Sequence, residues 1–149
     1  MKLEEAIKSS RFTNEKHKAT INVVYSAYWL RNNFSSVLKK EDLTMEQFNV
    51  MRILKGMHPE QMCVKDIGSR MLEKSSNVPR IVDKLVVKKL AKRITSKADK
   101  RETLVSLTER GVSVLEKATA LVDNATNEIK GLTESDALQL NELLEKMRM

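Results

Sequence analysis

Apolar residues recur at steps of three and four over most of the chain, which is the spacing of amphipathic helices. The first such segment, residues 12–39, contains neither Pro nor Gly and is predicted to form one long helix. Its apolar positions cover more than one stripe, so a second face is available for a partner helix. Thr44 and Gln47 have the form of a capping box and open a second helix, which we expect to end at Gly56.

The middle of the chain predicts two shorter helices. A linker at 58–63 is followed by apolar positions one helical turn apart at 64–71. Cap residues then precede a helix at 78–89, with Pro79 in its first turn, where the missing N–H is least costly.

After this helix the apolar period changes from helical to alternating. Segments 90–94 and 103–107 are strand candidates, and the polar stretch 96–102 between them predicts a β-hairpin with a long tip. Two helices follow: Thr108 caps a long one predicted to end at Gly131, and the last begins shortly after. The expected fold class is therefore mainly α with a small β-hairpin (α+β).

Composition restricts the class of protein further. The chain has 149 residues, enough for one packed domain, with 1 Cys and 2 His. The single cysteine, Cys63, excludes an internal disulfide framework and is typical of a reducing, cytoplasmic setting. So few His and Cys argue against a zinc site, and no apolar run reaches the roughly 18 residues of a membrane helix. We expect no metal, no cofactor and no membrane contact.

The net charge of +7 lies in one third of the chain. Residues 65–110 hold thirteen Lys and Arg against six Asp and Glu, whereas the remainder holds fourteen of each sign. A basic module on a neutral scaffold is typical of polyanion binding, although a solvated surface without a partner would show the same count. All aromatic residues precede this segment, so it lacks the stacking groups of single-strand readers, and duplex DNA is the favoured polyanion.

The helix at 78–89 carries its polar residues on one side, three or four positions apart, as a helix that enters the major groove requires. Arg can donate two hydrogen bonds to guanine, Asn can pair with adenine, and Ser can bind phosphate. An ordinary solvated helix face would show the same spacing. The candidate DNA contacts here are Ser75, Ser76, Asn77, Arg80, Lys84 and Lys88.

The hairpin tip adds three cations and one carboxylate to this surface. Its candidate DNA contacts are Lys97, Asp99, Lys100 and Arg101. A basic loop beside a major-groove helix can enter the flanking minor groove, where negative potential attracts Arg. Asp99 either hydrogen-bonds the guanidinium of Arg101 and fixes its direction, or nucleates the turn.

Several of these segments together resemble the MarR (multiple-antibiotic-resistance regulator) family. Asp99-Lys100-Arg101, a hydrophobic strand and then Leu107-Thr108-Glu109-Arg110-Gly111 resemble its wing pattern, D-[RK]-R followed by L-T-x-x-G. Residues 76–85 and 43–48 resemble its recognition helix and the start of its second helix. The resemblance covers about residues 12–148. One departure is Lys88-Lys89-Leu90-Ala91, where many members have a Gly.

The resemblance implies a winged helix-turn-helix in a two-fold homodimer, with two recognition helices roughly 34 Å apart on a pseudo-palindromic operator. Arg101 would be the minor-groove contact, Asp99 would position it, and Pro79 would join Asn77 and Arg80 on the base-reading part of the helix. The implied division is an N-terminal dimerisation region at 1–40, a DNA-binding lobe at 41–110 and C-terminal dimerisation helices at 111–149.

Members of this family often respond to small phenolic or lipophilic molecules bound between the dimerisation helices and the DNA-binding lobe. The residues that could line such a pocket are Tyr25, Tyr28, Trp29, Met51 and Met57, although core packing would explain each of them as well. Oxidant-sensing members carry their cysteine near the start of the first helix, so the position of Cys63 disfavours redox sensing.

These patterns lead to one principal hypothesis, a dimeric, sequence-specific double-stranded DNA-binding transcriptional regulator that represses and is relieved by a small ligand. The alternative is a non-enzymatic helical adaptor whose basic face binds an acidic protein partner. The sequence contains no Gly-rich phosphate loop, no nucleophile elbow and no H-E-x-x-H motif, so we do not expect an enzyme.

Overall fold

The computed structural model describes residues 1–129 and 131–149. Its elements in chain order are α1 (Leu3–Ile7), α2 (Glu15–Leu38), a single 3-10 turn (Lys39–Glu41), α3 (Met45–Lys55), β1 (Met62–Cys63), α4 (Val64–Arg70), α5 (Val78–Val87), β2 (Ala91–Thr95), β3 (Thr103–Leu107), α6 (Glu109–Asn127) and α7 (Glu134–Met147). The fold class expected from the sequence is confirmed, because helices dominate and one hairpin separates the helical ends.

The sheet has three antiparallel strands in the order β1-β3-β2. β2 and β3 form the predicted hairpin, with Ala91 opposite Leu107 and Thr95 opposite Thr103. β1 lies inside the segment 58–63 that was predicted to be a linker, and it pairs with the first half of β3. The linker prediction was wrong at β1 because two residues are too few to show an alternating pattern.

The hydrophobic core lies where α3, α4, α5 and the sheet meet. Met51, Ile67 and Leu85 are completely buried at this junction. Leu38 from the end of α2 and Leu115 from α6 belong to the same cluster. Both long helices are therefore anchored on the lobe that carries the hairpin.

The start of α6 is hydrogen-bonded to the base of the hairpin and packs closely against it. Thr108 caps α6: its Oγ1 accepts the N–H of Gly111 at 2.9 Å and donates to the carbonyl of Lys89 at 2.8 Å. The N–H of Thr108 also donates to the carbonyl of Leu90, at 3.1 Å. Gly111 lies directly against that same carbonyl, where no side chain fits. The L-T-x-x-G segment thus joins the hairpin to α6 through contacts within the protein.

The turn from α5 into the hairpin passes through Lys89, whose φ is 60°. This is the left-handed region that glycine enters with least strain. The connection is the one at which many members of the resembling family have a Gly. The chain therefore keeps the left-handed turn although a lysine occupies it.

α6 is shorter than the sequence predicted, since it ends at Asn127 and not at Gly131. Its last turn contains Asn124, Thr126 and Asn127, which are weak helix formers. The N–H of Ile129 closes the end with a tighter hydrogen bond to the carbonyl of Thr126, at 3.1 Å. Among the described helices, none combines the length and apolar character needed to span a membrane.

The terminal helices expose apolar side chains. No residue of α7, which is described in full, is buried in the single chain. Leu138, Leu143 and Met147 of this helix are all exposed. On α2, Val24 is 66% exposed and Tyr28 is 64% exposed. Val24 and Tyr28 belong to the second apolar face that the sequence predicted for the first long helix.

Candidate DNA-binding surface

α5 is anchored by one face and leaves the other open. Val78, Val82 and Leu85 are buried against the core, whereas Arg80 and Lys84 are exposed on the opposite side. Its sequence predicts this arrangement because the apolar positions are three or four residues apart. Pro79 occupies the first turn, as expected.

Asn77 begins α5 as its N-cap. Its Oδ1 accepts the N–H of Arg80 at 3.2 Å, so one acceptor of the amide is used inside the protein. The side-chain NH₂ is still available as a donor, because Asn carries both groups. Asn77 therefore fixes the start of the helix and keeps a donor for a partner.

Lys88 does not share the open face with Arg80 and Lys84. Its Nζ donates to the carbonyl of Asp42, lies 3.1 Å from the Asp42 carboxylate and donates to Oε1 of Gln47 at 3.2 Å. The outward placement predicted for Lys88 is thus wrong, since its ammonium turns toward the connection between α2 and α3. It ties the end of α5 to that connection.

Ser75 and Ser76 point in different directions. Ser75 is exposed before the start of α5, as a phosphate contact requires. The Oγ of Ser76 is buried and has no hydrogen-bond partner among the described residues. It lines a cleft between α2 and α3, so the solvent-facing hydroxyl predicted for Ser76 is not found.

The hairpin tip is organised by Ser96, a residue that the sequence analysis did not single out. Ser96 is 6% exposed, and its Oγ accepts the N–H groups of Ala98 and Asp99 at 3.2 and 3.3 Å. Its own N–H donates to the carbonyl of Glu102 at 2.9 Å. A Ser whose hydroxyl accepts the backbone N–H groups two and three residues later stabilises a local turn. The sequence pattern does not distinguish such a Ser from an exposed one.

Asp99 takes the second of the two roles considered for it. Its Oδ1 accepts the backbone N–H of Arg101 at 2.9 Å, which is a turn-forming contact. The described structure shows no bond from Asp99 to the Arg101 guanidinium. Lys97, Lys100 and Arg101 are exposed around this turn. Asp99 therefore shapes the loop backbone from which these cations project.

A groove of about 340 Å³ separates the hairpin from α5. Pro79 and Arg101 line it together, so the structure brings a candidate helix residue and a candidate tip residue to one place. Lys65, from the first turn of α4, lines the same groove and is a further candidate that the sequence analysis did not select. Arg93 of β2 is ion-paired with Asp83 of α5 across it.

Most of the positive side chains on this surface are not neutralised by an acidic partner among the described residues. Within the basic segment, Lys88 and Arg93 have acidic partners in the protein. Arg80, Lys84, Lys100 and Arg101 form no ion pair with any described residue. Exposed cations on a helix face and on a neighbouring loop suit two successive regions of a polyanion.

The five residues predicted to line a ligand pocket do not meet in one cavity of the described chain. Met51 is completely buried in the core and Met57 is exposed at the end of α3. Tyr25 and Trp29 line a small pocket against α1, and Tyr28 faces outward. Apolar spacing predicts burial, but it does not show which buried side chains border a void.

A larger cleft lies elsewhere, between α2, α3 and the loop before α5. Its volume is about 750 Å³. Phe34, Met45, Ile53 and Met71 provide apolar lining, with further contributions from Phe48 and Val122. Charged residues at its edge are Arg31, Glu46, Arg52 and Glu73.

Cys63 lies at the start of α4 and its sulfur accepts the N–H of Asp66 at 3.4 Å. That hydrogen bond lowers the pKa of the thiol, but desolvation and the carboxyl groups of Asp66 and Glu102 outweigh it, so the pKa is raised overall. A raised pKa leaves less of the reactive thiolate at neutral pH. Within the described ranges, no group of three or more His, Cys, Asp or Glu is placed to hold a metal ion.

Comparison with known proteins identifies relatives of the chain. The family model described as "Transcriptional regulator SarA/Rot" matches residues 32–118. The HTH-type transcriptional regulator YpoP of Bacillus subtilis is 32% identical over 87 residues, which are 58% of this chain and 60% of that protein. The match therefore spans about three fifths of the length of this curated relative.

Solved structures share the fold over nearly the whole chain. A mutant form of MarR from E. coli, complexed with operator DNA, has a TM-score of 0.80 at 24% identity and covers 93% of this chain and 99% of its own. The organohalide-sensing regulator RdhR-CbdbA1625, in a form bound to 2,4-dichlorophenol, has a TM-score of 0.81 at 16% identity, with 91% and 80% covered.

These relatives are described as transcriptional regulators, not as enzymes. The family match covers more than half of the chain, including α3, the helix-turn-helix, the hairpin and the first half of α6. The hairpin and its neighbouring α5 accordingly occupy the positions of the wing and of the second helix of the helix-turn-helix in this fold. The chain belongs to the SarA/Rot family of transcriptional regulators and carries the MarR-type winged helix.

Proposed function

We propose that the chain is a homodimeric, sequence-specific double-stranded DNA-binding regulator that represses transcription until a small lipophilic ligand releases it. The observation that carries this proposal is the open cationic face of α5 beside the exposed cations of the wing tip. The division into regions 1–40, 41–110 and 111–149 is part of the proposal.

The proposed DNA contacts follow the geometry of the open face. The first turns of α5 enter the major groove, where Arg80 reads a base edge and Lys84 neutralises a phosphate. The wing tip enters the adjacent minor groove with Arg101. The complete proposed set is Ser75, Asn77, Pro79, Arg80, Lys84, Lys97, Lys100 and Arg101, with Asp99 holding the loop. Ser76 and Lys88 are left out because the Ser76 hydroxyl is buried and the Lys88 ammonium is bound to Asp42 and Gln47.

Dimerisation is supported by the apolar surfaces of α2 and α7. An isolated helix of 14 residues is marginal in water, so α7 requires a packing partner for its apolar side chains. The exposed Val24 and Tyr28 of α2 offer such a surface on a second copy. Two-fold pairing would place the recognition helices about one DNA turn, roughly 34 Å, apart. A pseudo-palindromic operator matches that symmetry, and its occupation would exclude other proteins.

The cleft between α2 and α3 supports a ligand of moderate size. Its apolar lining suits an aromatic or aliphatic body, and its volume of about 750 Å³ falls in the range of small-molecule sites. A related fold has been solved with 2,4-dichlorophenol bound. We therefore place the proposed effector in this cleft, and not among the five residues first considered for it.

Selection of bound sequences from a random duplex pool tests this function. We expect a pseudo-palindromic site, and we expect titrations to show preference for it over random duplex of equal length. Arg101→Ala should weaken binding to that site strongly, while light scattering should report twice the mass of the 17.0 kDa chain. The proposal would be falsified by equal affinity for selected and random duplexes.

A further inference from the structure

Arg31, in the second half of α2, forms ion pairs that have no part in the proposed function. Its Nη2 lies 2.5 Å from Oε1 of Glu46, in the first turn of α3. Its Nη1 and Nη2 also donate to Oε2 of Glu73, at 3.2 and 3.3 Å. Glu73 belongs to the loop 71–77 between α4 and the recognition helix. One guanidinium thus joins three separate parts of the chain.

The loop 71–77 determines where the recognition helix begins. It has no regular structure, and its last residue is the N-cap of α5. Among the described residues, two side chains from outside the loop hydrogen-bond to it: Asn49 of α3 accepts the N–H of Leu72 at 2.9 Å, and Arg31 donates to Glu73. Asn49 belongs to α3, in the same lobe as the loop. Among the described residues, Arg31 is therefore the side chain of the long helix α2 that hydrogen-bonds to this loop.

The three charged residues also line the cleft between α2 and α3. Arg31, Glu46 and Glu73 are 30–50% exposed, so solvent weakens each pair taken alone. The planar guanidinium nevertheless contacts both carboxylates at once, which a single ammonium does less well. Met71 is buried at the start of the loop and Val78 directly after its end, but residues 72–75 between them are exposed. An exposed stretch of this kind has low local stability, so a weak link is sufficient to change its position.

We infer that Arg31 is a positioning residue for DNA binding. It holds Glu73, and with it the start of the recognition helix, at a fixed place relative to α2. In the dimer, the two α2 helices would determine how far apart the two recognition helices lie. Because Arg31 ties the start of α5 to α2, it would keep the DNA-contacting residues at that spacing. The inference rests on the proposed function, because it assumes that the start of α5 contacts DNA.

Arg31→Gln tests the inference, with Arg52→Gln as the matched control. Arg52 lines the same cleft and lies over the ring of Phe48 at 5.9 Å, but it forms no ion pair with a described residue. The first measurement is amide hydrogen exchange of residues 72–77 in the free protein. We expect faster exchange in this loop for Arg31→Gln, and unchanged exchange for Arg52→Gln and for β3 in both variants.

The second measurement is the dissociation constant for the selected operator and for random duplex. Because an exposed charge pair changes an equilibrium constant by up to about fivefold, we expect the operator Kd to rise about two- to fivefold for Arg31→Gln. Binding to random duplex should fall less, since it depends on charge and not on helix placement. Glu73→Gln should reduce the preference for the operator over random duplex in the same way, although its loss of a negative charge raises binding to both duplexes. Arg31→Lys should restore part of the affinity. Arg31→Gln combined with Glu73→Gln should lose no more of the preference than either change alone.

The outcomes separate the inference from the function on which it rests. Unchanged exchange in the loop for Arg31→Gln would overturn the inference, whatever the DNA result. Faster exchange with an unchanged operator Kd would overturn it as well, because Arg31 would then hold the loop without affecting recognition. If no duplex sequence is preferred by the unaltered protein, the proposed function fails and the DNA-positioning role fails with it, while exchange still shows whether Arg31 holds the loop.

Discussion

A Cβ atom on Gly111 would lie 1.9 Å from the carbonyl oxygen of Leu90. The obstacle is backbone, so it cannot rotate away as a side chain would. The first turn of α6 therefore reaches the base of the wing only because residue 111 has no side chain. This contact gives a physical reason for the glycine in the L-T-x-x-G segment.

Gly111→Ala is expected to destabilise the protein by about 1–3 kcal/mol, the usual range for overpacking in a close-packed region. Urea unfolding followed by circular dichroism measures the change. Gly68→Ala is the control, because a Cβ there would meet only Val78 Cγ2 at an ordinary 3.7 Å inside α4. Gly68→Ala should leave stability unchanged or raise it by about 0.5–1 kcal/mol. Equal effects of the two changes would contradict the packing argument.

Lys89→Gly is expected to raise the free energy of unfolding by about 0.5 kcal/mol, because glycine adopts a φ of 60° without the strain of a side chain. Thermal unfolding provides the measurement. Lys92→Gly removes the same charge from an extended position in β2 and should lower stability instead. A lower melting temperature for Lys89→Gly would show that the left-handed turn is not strained.

Arg101→Ala should make the slope of log K against log salt less negative by about 0.9, the value for one lost phosphate contact on duplex DNA. Arg93 is the comparison, since it lies on the same wing but is paired with Asp83. Removing both members, as Arg93→Ala with Asp83→Ala, keeps the net charge and should leave the slope unchanged. Titration of random duplex at several salt concentrations measures both. An unchanged slope for Arg101→Ala would place that arginine away from phosphate.

The Cys63 thiol should react slowly at neutral pH. Its pKa is raised, so the thiolate fraction below the ordinary thiol pKa is smaller in the folded chain than in the unfolded one. Alkylation by iodoacetamide, measured between pH 7 and 9 with and without denaturant, should therefore be slower for the folded protein over this range. Faster alkylation of the folded chain would indicate an activated thiol and would reopen the question of redox sensing.

The local features of the fold were predictable because their causes are local. Asn77 and Pro79 start α5 through hydrogen bonding and a fixed φ, and both requirements are met within one turn. The alternating strands of the hairpin were predictable for the same reason. The end of α6 was not, since weak helix formers and the following segment decide it together.

The candidate site was predictable only as far as helix spacing allows. Spacing places Arg80 and Lys84 on one face correctly. It also places Lys88 there, because a sequence pattern does not show that Asp42, from a distant part of the chain, stands within reach of that ammonium. The same limit applies to Ser76, whose surroundings come from α2 and α3. Side-chain direction depends on tertiary neighbours, and these were not readable from the sequence.

The uneven distribution of charge gives the molecule an electric dipole. The excess of +7 lies between residues 65 and 110, and the rest of the chain holds equal numbers of positive and negative residues. A charged rod such as DNA exerts a torque on a dipole, so the molecule would turn its wing and α5 forward before contact. This orientation increases the fraction of productive collisions, and added salt would diminish it by shortening the range of the field.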